Sequence, residues 1–181
     1  MTQLRKNIIS SGIVQIALSL IVAVFLVYFT SKMFRRLISG INETEELKKN
    51  NISVAILNGS TILALILVVK KSIDSSITIF ANTLRNPEAG FLTYLESALI
   101  MLGHIILGGI IGFTTIYIAL QIFMWLTKDL DELKEIKENN IAVGILLGII
   151  IVSIALLLEP GIVTVLDSLI PFPPVSLIDI G

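Results

Sequence analysis

Cysteine is absent from the chain, so no disulfide, thiolate nucleophile or thiolate metal site can form, and the redox compartment is left open. Histidine occurs once, at position 104. One imidazole without a thiolate makes no ligand set for a transition-metal centre, although carboxylates leave a hard cation open. Charge is scarce as well: 13 Lys and Arg against 14 Asp and Glu give a net charge of −1, which offers no basic field to nucleic acid. Catalytic motifs are missing too. With no phosphate-cradling loop, no nucleophile beside a base and no metal-ligand cluster, the chain is expected to be neither an enzyme nor a cofactor carrier.

What the chain has instead is apolar surface: 55% of its residues are hydrophobic and 15% charged, with a mean hydropathy of +0.94. That is too apolar for water, so the expected solvent is a lipid bilayer. Crossing about 30 Å of hydrocarbon takes roughly 20 helical residues. The runs Gly12 to Phe34, Phe91 to Leu126 and Ile141 to Leu158 meet that length, and Ile52 to Val69, which carries Ser53, Asn58, Ser60 and Thr61, lies near its lower limit. The first run follows Arg5 and Lys6, but its apolar core exceeds the roughly 7–15 residues of a signal peptide and no small-x-small site follows, so a retained helix is expected.

An internal repeat organises these runs. KKNNISVAILNG, from Lys48 to Gly59, returns as KENNIAVGILLG, from Lys137 to Gly148, 89 positions later. At that offset Gly12 to Lys71 aligns with Met101 to Pro160 without a gap, and roughly 18 of 60 pairs are identical, Tyr28 with Tyr117 and Glu46 with Glu135 among them. Apolar composition alone would not align polar and aromatic residues. The expected fold is therefore all-α and integral to the membrane, with four transmembrane helices arranged as two parallel two-helix repeats. Residues 1–11 form an N-terminal segment, 12–71 the first helix-loop-helix unit, and 72–100 a connector with an interfacial segment. Residues 101–160 form the second unit, and 161–181 an interfacial segment after a break at Pro160 and Gly161, ending in a Pro-rich tail.

An even number of spans per unit puts loops 35–50 and 127–139 on one face of the bilayer. With Lys32, those loops hold eight of the 13 Lys and Arg, so the positive-inside rule favours them in the cytoplasm and both termini outside. Each helix also carries a small-xxx-small pair: Ser19 and Ala23, Ala55 and Gly59, Gly108 and Gly112, Gly144 and Gly148. Such pairs let helices approach closely in lipid, which predicts packing within the chain or in a homo-oligomer.

Polar residues at helix entries and inside spans are the candidate functional groups. Asn50 or Asn51, and Asn139 or Asn140, stand where an N-cap is needed, with Glu46 and Glu135 upstream; capping is one reading and a cation or polar head-group site the other. Gln15 and its repeat equivalent His104 share a stripe with the small residues, and Asn58 is a further intramembrane polar residue. Hydrogen bonding between helices is the structural reading, and a proton or ion path the functional one. The loop sequences ETEELKKNN and LDELKEIKENN read either as a solvated extension or as a surface for a cytoplasmic partner.

Two tandem helix-loop-helix units, each with a Glu-x-Lys-x-Asn-Asn-Ile-x-Val-Ala/Gly entry into its second helix, resemble the YjfL-like bacterial inner-membrane family (domain of unknown function 350) from Gly12 to about Ile162. The family pattern tends to have Gly before the Asn and Ala after the next residue. Here Asn50 and Asn139 replace that Gly, and Ser53 replaces Ala in the first copy. The resemblance implies a four-helix inner-membrane protein of bacterial or archaeal type with no established activity and no site to carry over. Two functions remain in view: a self-associating, partner-docking membrane scaffold, or an ion or small-solute channel with its path along the pseudo-two-fold axis.

Overall fold

The computed structural model describes residues 2–38, 41–84, 86, 88–127 and 131–170. Among these residues six helices occur in order: α1 (Thr2–Leu37), α2 (Glu43–Lys48), α3 (Ile52–Thr83), α4 (Phe91–Leu126), α5 (Glu132–Lys137) and α6 (Ile141–Leu169). Four of them, α1, α3, α4 and α6, are long and apolar enough to cross a membrane. The short helices α2 and α5 stand at matching places in the two units. The fold is thus all-helical, and no strand occurs among the described residues.

The long helices outrun the bilayer. Thirty-two residues in α3 rise about 48 Å, well beyond the roughly 30 Å hydrocarbon core. α3 runs to Thr83 and α4 starts at Phe91, so the connection is short, residues 84–90, rather than a long segment starting at residue 72. At the other end of the chain α6 runs through Pro160 without the expected break. Proline removes one backbone donor, which a helix tolerates where water or a neighbouring hydroxyl reaches the freed carbonyl. Pro160 lies exposed in the last third of α6; Thr164 Oγ1 donates to its carbonyl at 2.9 Å, a bond separate from the Leu156 carbonyl that the missing donor leaves free. The extended tail expected from Pro171 onward falls outside the described residues.

Packing centres on α3, which contacts α6 most extensively and also packs against α4 and α1. The contact between α3 and α6 is close at the loop end. A Cβ on Gly144 would stand 2.9 Å from the Ser53 backbone, and one on Gly148 would stand 2.5 Å from Ser60 Oγ. Beyond that approach Leu57, Leu65, Leu147 and Ile151 fill the interior. α4 lays Gly108 and Gly112 on Val69, Leu65 and Val68 of α3. α1 contributes Val22, Leu26 and Phe34 to the same core from the side.

Candidate functional site

The doubled Asn-Asn entry is a joint between the two units. Each short helix ends in a Schellman turn: Asn50 N–H donates to Leu47 O and Asn51 N–H to Glu46 O, and Asn139 and Asn140 repeat this on Ile136 O and Glu135 O. That turn requires a left-handed residue, and Asn50 and Asn139 supply it at φ 59° and 62°. Asparagine is the side chain that tolerates this region best after glycine, and both units place it there. The second Asn of each pair is the N-cap. Asn51 Oδ1 accepts from Val54 N–H at 3.0 Å, and Asn140 Oδ1 from Val143 N–H at 3.4 Å. The choice left open by spacing is thereby resolved: Asn50 and Asn139 turn the chain, and Asn51 and Asn140 cap the spans.

The same side chains then bridge the units. Asn51 Nδ2 is shared between Glu46 Oε2 (3.1 Å) and the Ile136 and Lys137 carbonyls (3.0 and 3.2 Å). Asn139 Oδ1 accepts from Ser53 N–H at 3.1 Å, and Ser53 Oγ donates to Asn140 O at 2.9 Å. Asn140 Nδ2 donates to Glu135 Oε2 at 2.7 Å, matching the contact of Asn51 with Glu46. Hydrogen bonds from Lys49, at 2.7 Å, and then from Asn51 hold the Glu46 carboxyl below its ordinary range, and the Lys49 ammonium is raised in turn. The polar atoms of this joint are engaged with each other, and among the described residues no group of three His, Asp or Glu is placed to hold a metal.

Gln15, His104 and Asn58 do not come together. Gln15 Nε2 meets Thr78 Oγ1 at 3.5 Å near the connector end of α3. Buried Asn58 donates to Glu43 of α2 at the loop end, about 30 Å along α3 from Thr78. His104 is fully enclosed; its Nδ1 lies 3.0 Å from Ile100 O, and its Nε2 lies 3.7 Å from Asp167 Oδ1. Thr78 and Asp167 are also 89 positions apart, so His104 with Asp167 is the repeat equivalent of Gln15 with Thr78. Sequence reasoning missed both partners because the aligned units were ended at Lys71 and Pro160. Glu43 and Glu132, an identical pair at the 89 offset, were missed as well: Glu43 meets Asn58, and buried Glu132 meets Thr127 Oγ1.

The small-residue pairs divide. Gly108, Gly112, Gly144 and Gly148 are buried at helix contacts, whereas Ser19, Ala23, Ala55 and Gly59 are exposed. Gly59 has nothing within 4 Å of the place where a Cβ would stand.

These features define a four-span helical membrane protein built from two tandem helix-loop-helix units that are tied together at their loop ends. The chain belongs to the family described as Domain of Unknown Function (DUF350), whose model matches residues 8–162. No curated protein and no solved structure matches it.

Proposed function

We propose that the protein is a non-enzymatic inner-membrane scaffold that self-associates and presents its charged loops to a cytoplasmic partner. The observation that carries this reading is the state of the first span: 11% of its most apolar window is buried, against 50% for the second span. A helix so little used by its own fold, with Ser19 and Ala23 on its exposed side, is suited to packing against protein. The polar joint supports the same reading, since its hydrogen bonds are spent on holding the units together. Charged α2 and α5 lie on the face that Lys and Arg content favours as cytoplasmic.

The test is single-molecule photobleaching of singly labelled protein diluted into liposomes. Two or more steps per particle at high lipid excess are expected; single steps at every dilution would sink the scaffold reading. A transport reading draws on the ionisable pair His104 and Asp167. Against it stands the close packing of α3 on α6, where Gly144 meets Ser53 and Gly148 meets Ser60 and Ile56, with Leu57, Leu147 and Ile151 buried in the same core. Proton or ion flux into sealed liposomes that disappears in His104→Leu would put transport first.

A further inference from the structure

The two units have the same sequence pattern but are not equally covered. In the second unit α4 packs across α3 of the first: Gly108 meets Val69, and Gly112 meets Leu65 and Val68. The repeat-related contact would lay Ser19 and Ala23 of α1 on Leu158, Ile154 and Leu157 of α6. That contact is not made within the chain: α1 packs against α3 and, more lightly, α4, with no comparable contact to α6. Both halves of it lie open. Ile16 is 70% exposed where its counterpart Ile105 is 6%, and Leu157 is 80% exposed where Val68 is 0%. Ser19 and Ala23 are exposed where Gly108 and Gly112 are buried, and Leu158 is exposed where Val69 is buried.

We propose that a second copy of this chain fills the gap, α1 of one protomer lying on the uncovered face of α6 of its partner. The inference rests on the self-association reading and names the seam. Several observations point to a second copy rather than an unrelated partner. The occupant required by α6 has the pattern of a first-unit helix, and the chain carries one such helix, α1, with Ser19 and Ala23 exposed. The depth agrees without adjustment, because the 89-residue offset fixes Ala23 against Leu157 as it fixes Gly112 against Val68. The shape agrees as well: Ser19 and Ala23 form the floor of a groove on α1 walled by Ile16 and Leu20, and the α6 face presents branched apolar side chains. The contact joins two different patches, so it closes as a dimer when both copies exchange α1 contacts about a two-fold axis, and otherwise builds a ring or an open chain of copies.

The chain has no native cysteine, which makes disulfide mapping direct. Ala23→Cys and Leu157→Cys chains carrying different tags are co-expressed, and membranes are oxidised. A crosslink between the two tags is expected. It should be at least tenfold weaker when Leu157→Cys is replaced by Leu146→Cys, about 16 Å away along α6. A chain carrying both Ala23→Cys and Leu157→Cys that crosslinks only within itself would overturn the proposal, since α1 would then reach its own α6. Absence of the crosslink in protein that photobleaching shows to be oligomeric would overturn this seam and leave self-association standing. Absence of both would remove both readings. Leu157→Trp provides the independent arm: its side chain points away from the monomer core, so folded yield should hold while the oligomeric fraction at fixed dilution falls at least fivefold. An unchanged fraction would count against the seam.

Discussion

Two adjacent asparagines do two separate jobs in each unit, and the difference between them is testable. At Asn50 the requirement is backbone, φ 59°, so Asn50→Gly should change stability by less than about 0.5 kcal/mol, while Asn50→Ala costs about 1–2 kcal/mol. Asn139 has the same backbone but also accepts the Ser53 amide, so Asn139→Gly should be worse than Asn50→Gly by about 1 kcal/mol. Unfolding midpoints in detergent compare the three variants, and equal costs for the two glycine changes would remove the bridging role of Asn139. Acidity probes the same joint. Bonds from Lys49 and Asn51 hold the Glu46 carboxyl below its ordinary value of 4.5. A carboxylate depressed in the folded state stabilises the fold above its unfolded pKa and loses that contribution as pH falls through the folded value. The unfolding midpoint should therefore drop as pH falls from about 5 to about 3, and less steeply in Glu46→Gln; identical slopes would show that other carboxylates govern acid stability.

Helix packing gives a sharper contrast, because glycines drawn from the repeated small-xxx-small pairs meet different surroundings. Gly144→Ala would bring a methyl against the Ser53 backbone at 2.9 Å, an overpacked contact costing about 1–3 kcal/mol and pushing α6 off α3. Gly59→Ala meets nothing within 4 Å and should be neutral or stabilising by up to about 1 kcal/mol through helix propensity. Thermal unfolding of the two variants separates them, and a destabilised Gly59→Ala would mean that this face is covered in the assembled protein. Much of the element plan was legible beforehand: the spans follow from apolar length, the units from the 89-residue offset, and the caps from Asn before an apolar run. What was not legible depends on tertiary context. Small-xxx-small spacing marks a face able to pack but cannot say which faces are used, and the repeat made all four pairs look equivalent although α1 does not lie on α6 as α4 lies on α3. Pro160 and Gly161 looked like a stop because local propensity disfavours both, yet Ile162, Val163 and Leu166 are buried and draw the helix onward against the core. The partners of Gln15 and His104 went unseen for the same reason, since they lie on the helix extensions Thr83 and Leu169 terminate.

For the whole molecule, the consequence of two units with two spans each is that both polar joints share one face of the bilayer and the connector lies on the other. Lys49 and Lys137 sit on the exposed side of the joints, and Glu88 is exposed between α3 and α4. Single cysteines at these three positions, in a chain that has none of its own, should divide cleanly under a membrane-impermeant maleimide. Lys49→Cys and Lys137→Cys should react together from one side and Glu88→Cys from the opposite side. With eight of 13 Lys and Arg in or beside the two loops, the expected result in intact cells is labelling of Glu88→Cys alone, with the loop positions reacting only after the membrane is opened. Labelling of the loops in intact cells would invert the orientation and move partner docking to the outer face, leaving the parallel arrangement intact. Lys49→Cys and Lys137→Cys reacting from different sides would be more damaging, because the Asn51 contact with the Ile136 carbonyl requires both loops at one surface. The parallel repeat, the polar joint and the proposed contact of α1 with a second copy's α6 all depend on that single geometric fact.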